Sequence, residues 1–330
     1  MTNRIVTLTL NPAVDLACTA AAVVPTHKIR TEDERYDPGG GGINVARVLH
    51  VLGGETTALI MTGGVTGRLV EQLLDEEGVR WRALPIAGRS RISVTVHDRG
   101  SGLEYRFVPP GPTIAAGEWQ AALDVLRTVE ADWIVASGSL PRGVPVDFYA
   151  QSAAIAAARG QHFALDTSGA SLRAGVGAGV ELLKLSLGEL ESLVGHAAPD
   201  MASRDADITS LLRAGAARMI AVSLGAEGAI LATANGIIGL PAPRVAAQSA
   251  VGAGDSFLAG LVLGLARGLP NREALALGIA SGAAAVAHYG TAQVTRTMVD
   301  GLFRDICPQE PTDPGDVAIL AAANPARAAQ

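Results

Sequence analysis

Between Arg4 and Val286 the chain keeps changing its hydrophobic period, and this constrains its fold more than any other feature. Short β-branched runs such as RIVTLTL (4–10), TTALIM (56–61), DWIVASG, HFALDTSG, ELLKLS and RMIAVSLG are separated by stretches with apolar residues at helical spacing. One such stretch holds Ile43, Val45, Val48, Leu49 and Leu52, and two more cover 255–267 and 271–288. Strands that alternate with helices build a mostly parallel sheet covered by helices on both faces. Two segments break the rhythm. Residues 13–36 are irregular and extended, and 91–108 alternates through a turn at Gly100-Ser101-Gly102, as a hairpin does. We read them as one small side sheet made of two insertions in a single domain spanning 1–307. AILATANGIIGLP adds a hairpin turning at Asn235-Gly236, and the Pro- and Ala-rich residues 308–330 read as a disordered tail.

Composition narrows the function classes. The net charge of −6 argues against a general nucleic-acid or anionic-membrane binder. Small-residue runs such as LALGIASGAAAVAHYG suit buried helices better than membrane spans. Cys18 and Cys307 form no disulfide or metal pattern, as expected of a cytoplasmic protein.

The glycine-rich VGAGDSFLAG, with Gly252, Ala253, Gly254 and Asp255, opens the 255–267 helix. Backbone N–H groups left unpaired at such a turn, with the helix dipole behind them, make an anion site. A tight loop in which Asp255 caps the helix fits these residues equally well. The sequence has no Walker P-loop, no dinucleotide fingerprint after the first strand and no H-E-x-x-H. A second cluster, DPGGGGINVAR, lets the backbone at Gly40 and Gly41 approach a ligand closely, with Asn44 at the helix start; Asp15 follows the first strand.

LTLNPAVD, PGGGGINVAR, SGSLPRG, LDTSG, VSLGAEGA and VGAGDSFLAG, in this order, resemble the ribokinase-like carbohydrate kinases, the phosphofructokinase-B family, from about Arg4 to about Phe303. The resemblance implies a ribokinase-like α/β fold in which the side sheet is a lid and joins a homodimer. It implies ATP with Mg²⁺, Asp255 as the base, and an anion hole at Val251, Gly252, Ala253 and Gly254. On the nucleotide side it implies Lys184, Ser186, Ser223, Gly225 and Gly228, with Glu189 acting on Mg²⁺ through water. Ser186 stands where the family usually has Asn. A K⁺ site would use the carbonyls of Ser249, Val251, Ala285 and Gly290. Gly41, where fructose-1-phosphate kinases usually carry Lys, points to fructose 6-phosphate as the sugar. Arg91, Arg106 and Lys28 would converge on its phosphate, with Ser139 as a further contact and Asp15, Gly40, Gly41 and Asn44 holding the sugar. Tagatose-6-phosphate and fructose-1-phosphate kinases share this apparatus, and a non-catalytic sugar sensor would keep the fold.

Overall fold

The computed structural model describes residues 3–287 and 293–307. Gly290 and the 308–330 tail lie outside them. Strands β1 (Arg4–Thr9), β4 (Glu55–Thr62), β5 (Trp81–Pro85), β8 (Trp133–Ser137), β9 (His162–Asp166), β10 (Leu182–Ser186), β11 (Met219–Ser223), β12 (Ala229–Thr233) and β13 (Gly236–Leu240) form a nine-stranded sheet. Its order is β13-β12-β11-β10-β9-β8-β1-β4-β5. All pairs from β5 to β11 are parallel, and only the two pairs that β12 makes, with β11 and with β13, are antiparallel. The β12–β13 register leaves Ala234-Asn235 in the turn, one residue earlier than the Asn-Gly pair suggests, with Gly236 pairing Thr233.

The alternating periods produce the expected layers. One apolar cluster joins β-strand side chains such as Leu8, Ile134 and Leu183 to the helices Ala116–Leu126, Phe148–Ala158 and Met201–Arg213. The other joins Ile5, Val135 and Leu182 to the helices Gly41–Val51, Ala253–Ala266 and Asn271–Val286. With aromatics at only 4% of the chain, these helices pack through small residues. A methyl on Gly260 would strike the Ser281 hydroxyl and the Leu277 carbonyl of the facing helix. No helix among the described residues is long and apolar enough to cross a membrane.

The two irregular segments form the second sheet, in the order β3 (Thr31–Gly39), β2 (Ala13–Ala20), β6 (Arg91–Asp98), β7 (Glu104–Phe107). A third cluster, with Val14, Ile43, Ile60, Val70 and Leu74, seats this sheet against the helices Gly41–Val51 and Gly64–Glu76. Directly paired residues share a face, so Asp15, Ser93, Thr95 and Arg106 lie on one side of it and Leu16, Tyr36, Val94 and Phe107 on the other. A buried chain of charges pins its base. Arg47, 5% exposed, makes a bidentate pair with Glu77 and faces Asp37 at 3.5 Å.

Candidate active site

In an open α/β sheet, ligands gather at the carboxyl ends of the strands, where the order reverses. Here the reversal falls between β1 and β8, and the chemistry collects there. Ser137 ends β8, Asp166 ends β9, Ser186 ends β10 with Lys184 two residues before it, and Ser223 ends β11.

The helix Ala253–Ala266 begins behind Gly252, whose φ of 75° is the left-handed conformation that glycine adopts without strain. Capping does not explain Asp255, because its carboxylate turns away from its own helix end. Its Oδ2 accepts from Asn44 Nδ2 at 2.9 Å and its Oδ1 from Ser137 Oγ at 3.0 Å. Burial, reinforced by Asp166, pushes the Asp255 carboxyl up to about 6, although Asn44, Lys184 and Ser137 pull the other way. In the turn itself, Val251 N–H donates to Ser249 Oγ and Ala253 N–H to the Ala250 carbonyl, both at 3.3 Å. The N–H groups of Gly252 and Gly254 have no acceptor among the described residues. The open donors are therefore fewer than the four that the glycine motif suggests.

Lys184 reaches this turn from β10. It is 6% exposed, and its Nζ lies 3.1 Å from Asp166 Oδ2. Burial opposes its charge, but Asp166, Glu189 and Asp255 hold its pKa above the usual lysine value. Gly254 makes room for it, since a Cβ there would sit 2.9 Å from the ammonium. Asp166 is held above the carboxylate range by burial, against the pull of Lys184. Ser186 caps the helix Leu187–Val194 in a reciprocal capping box. Glu189 N–H donates to Ser186 Oγ at 3.3 Å, and Ser186 N–H donates to Glu189 Oε2 at 2.7 Å.

The turn is a wall between two cavities. One, of about 460 Å³, lies under the small sheet and is lined by Asp15, Thr95, His97 and Val251. The other, of about 600 Å³, is lined by Ser223, Gly225, Gly228, Ala253 and Gly254. Gly40 and Gly41 enter the helix Gly41–Val51, which carries Asn44 toward Asp255. Arg91 starts β6 opposite Ala13 and is tied down, with its guanidinium donating to the carbonyls of Asn11 and Pro109, both at 3.0 Å. Asn11 in turn donates to Ser139 Oγ at 3.4 Å, so Arg91 and Ser139 meet through a residue that local spacing does not mark. Arg106 is exposed but on the cleft side of its sheet. Lys28 does not join them. It lies in the 21–30 connection beyond Ala20, the opposite end of β2 from Arg91, so the three cations do not converge within one chain. Ser249 and Val251 are brought to the end of the Asn271–Val286 helix, which contains Ala285, by Gln248 N–H and Ser249 N–H donating to Val286 O at 2.7 and 3.3 Å. Asp166 and Ser137 were missed in the sequence. Their signals, LDTSG and SGSLPRG, are visible as motifs, but the sequence assigns a role in them only to Ser139.

A carboxylate held behind a glycine turn that borders two cavities, one under the small sheet and one glycine-lined, defines an α/β enzyme site with room for two ligands. The chain belongs to the pfkB family of carbohydrate kinases, whose model matches residues 8–298. It is 43% identical over 314 residues to the ATP-dependent 6-phosphofructokinase isozyme 2 of Mycobacterium tuberculosis, covering 94% of this chain and 92% of that protein. The protein of the same name from Escherichia coli is 36% identical, with 87% and 94% covered. A 1-phosphofructokinase of Bacillus subtilis is 32% identical, with 85% and 91% covered. Phosphofructokinase-2 from Escherichia coli, solved in complex with fructose-6-phosphate, superposes with a TM-score of 0.87 at 32% identity, covering 92% of this chain and 99% of that one. The same enzyme has been solved in complex with potassium and as a tetrameric inhibited form.

Proposed function

We propose that this chain transfers the γ-phosphoryl group of ATP to the 1-hydroxyl of D-fructose 6-phosphate, giving ADP and fructose 1,6-bisphosphate. The observation that carries this reading is the Asp255 carboxylate, held by Asn44 and Ser137 directly behind a glycine turn whose Val251 lines one cavity and whose Ala253 and Gly254 line the other. Asp255 takes the proton of the 1-hydroxyl as its oxygen bonds to the γ-phosphorus and the bond to ADP breaks. Such a transfer needs positioning and charge stabilisation more than covalent chemistry. Gly252 and Gly254 N–H groups and the Lys184 ammonium meet the phosphoryl charge, Ser223, Gly225 and Gly228 line the nucleotide cleft, and Ser186 stands beside Ser223 on the neighbouring strand. Asp166 and Glu189 beside Lys184 give hard oxygen donors. No cluster of three metal-ligating side chains occurs among the described residues. That donor set fits Mg²⁺ held mainly by water and nucleotide phosphates, where it would neutralise phosphate charge. The carbonyls of Ser249, Val251 and Ala285 are the potassium candidates.

Asp15, Gly40, Gly41 and Asn44 hold the sugar, and Arg91, Arg106 and Ser139 its phosphate. Arg91→Ala is expected to raise KM for fructose 6-phosphate about tenfold or more, the worth of one charge-assisted pair, with KM for ATP little changed. Equal effects on both substrates would make Arg91 a tie between Asn11 and Pro109 only.

The small sheet acts as a lid and as the contact of a homodimer. Its outer face presents an apolar row, with Tyr36, Ile92 and Phe107 exposed at 46%, 40% and 59%. A small sheet with two open edges gains most by pairing with a copy of itself. Phe107→Asp is expected to give monomers in sedimentation at micromolar concentration, with weaker sugar binding. An unaltered dimer would place the interface elsewhere, and a wild-type monomer with full activity would remove it. The likeness to a 1-phosphofructokinase supports a second reading, with fructose 1-phosphate as acceptor. Steady-state kinetics on fructose 6-phosphate, tagatose 6-phosphate and fructose 1-phosphate separate the readings.

A further inference from the structure

Both oxygens of the Asp255 carboxylate are taken by donors, and only one of those donors, Asn44, comes from the sugar-side helix. The other is Ser137, the last residue of β8, 2% exposed and paired in register with Asp166 at the end of β9. Its Oγ has Asp255 Oδ1, at 3.0 Å, as its acceptor. Two donors on two oxygens fix the plane of a carboxylate, whereas one leaves it free to swing about the remaining bond. A carboxylate has about four lone-pair sites, so a substrate hydroxyl can still donate to it. Hydrogen bonds to the charged form also favour that form. They counter the burial and the nearby Asp166, both of which favour protonation.

The glycine loop is shaped around the same hydroxyl. A Cβ built on Gly41 would collide first with Ser137 Oγ and then press on the Ser137 carbonyl carbon at 2.9 Å and the Gly138 nitrogen at 3.0 Å. Gly41, unlike its neighbour Gly40, lies outside the positive-φ region. Conformational freedom is therefore not what position 41 requires. The requirement is the space filled by the Ser137 hydroxyl and by the Ser137–Gly138 peptide beside it.

We propose that Ser137 is a positioning residue for the base: its hydroxyl sets the plane of the Asp255 carboxylate and keeps it ionised, and the bare backbone at Gly41 leaves room for that hydroxyl. The inference rests on Asp255 being the base, and it can be tested apart from any sugar. In the free protein, carbon-13 NMR of the aspartate carboxyls, with the Asp255 signal assigned by its loss in Asp255→Asn, follows the titration of that group. Ser137→Ala is expected to move the titration upward by about one unit or more, the worth of one hydrogen bond to a charged group. In kinetics the same variant should move the acid limb of kcat/KM upward and lower kcat about tenfold at neutral pH, with KM for ATP unchanged. Gly41→Ala is expected to reproduce the upward shift by evicting the hydroxyl, and Ser137→Ala with Gly41→Ala to shift it no further than either alone. If the Asp255 titration is the same in Ser137→Ala as in the wild type, the inference is wrong, whatever the state of the Gly41 variant. A shift without any sugar-kinase activity in the wild type would uphold the pairing and overturn the functional reading instead.

Discussion

Replacing Asp255 with Asn is expected to lower kcat about 10²–10⁴-fold, the usual weight of a positioned base, with the fold and ATP binding retained. Asn has nearly the same size and keeps one acceptor, so Asn44 and Ser137 can still hold it in place. The wild-type acid limb follows from the environment of the group. A carboxyl pushed up to about 6 takes a proton below that pH and cannot accept another, so kcat/KM should fall about tenfold per unit as pH drops below it. Stability runs the opposite way. A carboxyl whose folded pKa is raised favours the folded state when protonated, and that contribution is lost as pH rises through about 6. Asp255→Asn should therefore unfold at a higher temperature than the wild type at pH 8, with a smaller gain at pH 5. An inactive variant that is also less stable at pH 8 would show that Asp255 serves the fold.

The second large effect belongs to Lys184. Removing one partner of a buried pair leaves an uncompensated charge, and Lys184→Met is expected to cost about 3–5 kcal/mol. Lys184 and Asp166 are 6% and 9% exposed, so solvent does little to soften this. Asp166 is already held above its ordinary range by burial, and without the ammonium it should rise further. Its folded form then prefers the proton, so stability is lost as pH rises, and the deficit of Lys184→Met should be larger at pH 8 than at pH 5. Adding Asp166→Asn should restore much of the loss in denaturant unfolding without restoring activity. A deficit that grows toward low pH would contradict the pairing.

What could be read from the sequence, and what could not, divides along the range of the interaction. The layered sheet was legible because each strand and helix announces its own period, as in RIVTLTL and the Ile43–Leu52 run. The glycine turn and Asp255 were legible because four consecutive residues carry the signal. The short helix Gly169–Gly175 and strand β5 have too few periodic positions to stand out. Ser137 stayed hidden because its partner is 118 residues away, and Asp166 because its value depends on Lys184 in the neighbouring strand. Lys28 and Arg91 stand apart within one chain for a related reason. Composition names the charges, but only strand register decides which end of a sheet each one occupies.

The most direct measurement is product formation by the purified chain with ATP, Mg²⁺ and each of fructose 6-phosphate, tagatose 6-phosphate and fructose 1-phosphate. ADP release would be coupled to a spectroscopic readout and the sugar product identified by phosphorus-31 NMR. The account predicts the highest kcat/KM with fructose 6-phosphate and a product phosphorylated at both carbon 1 and carbon 6. A higher kcat/KM with fructose 1-phosphate, or no ADP release with any of the three sugars, would contradict it.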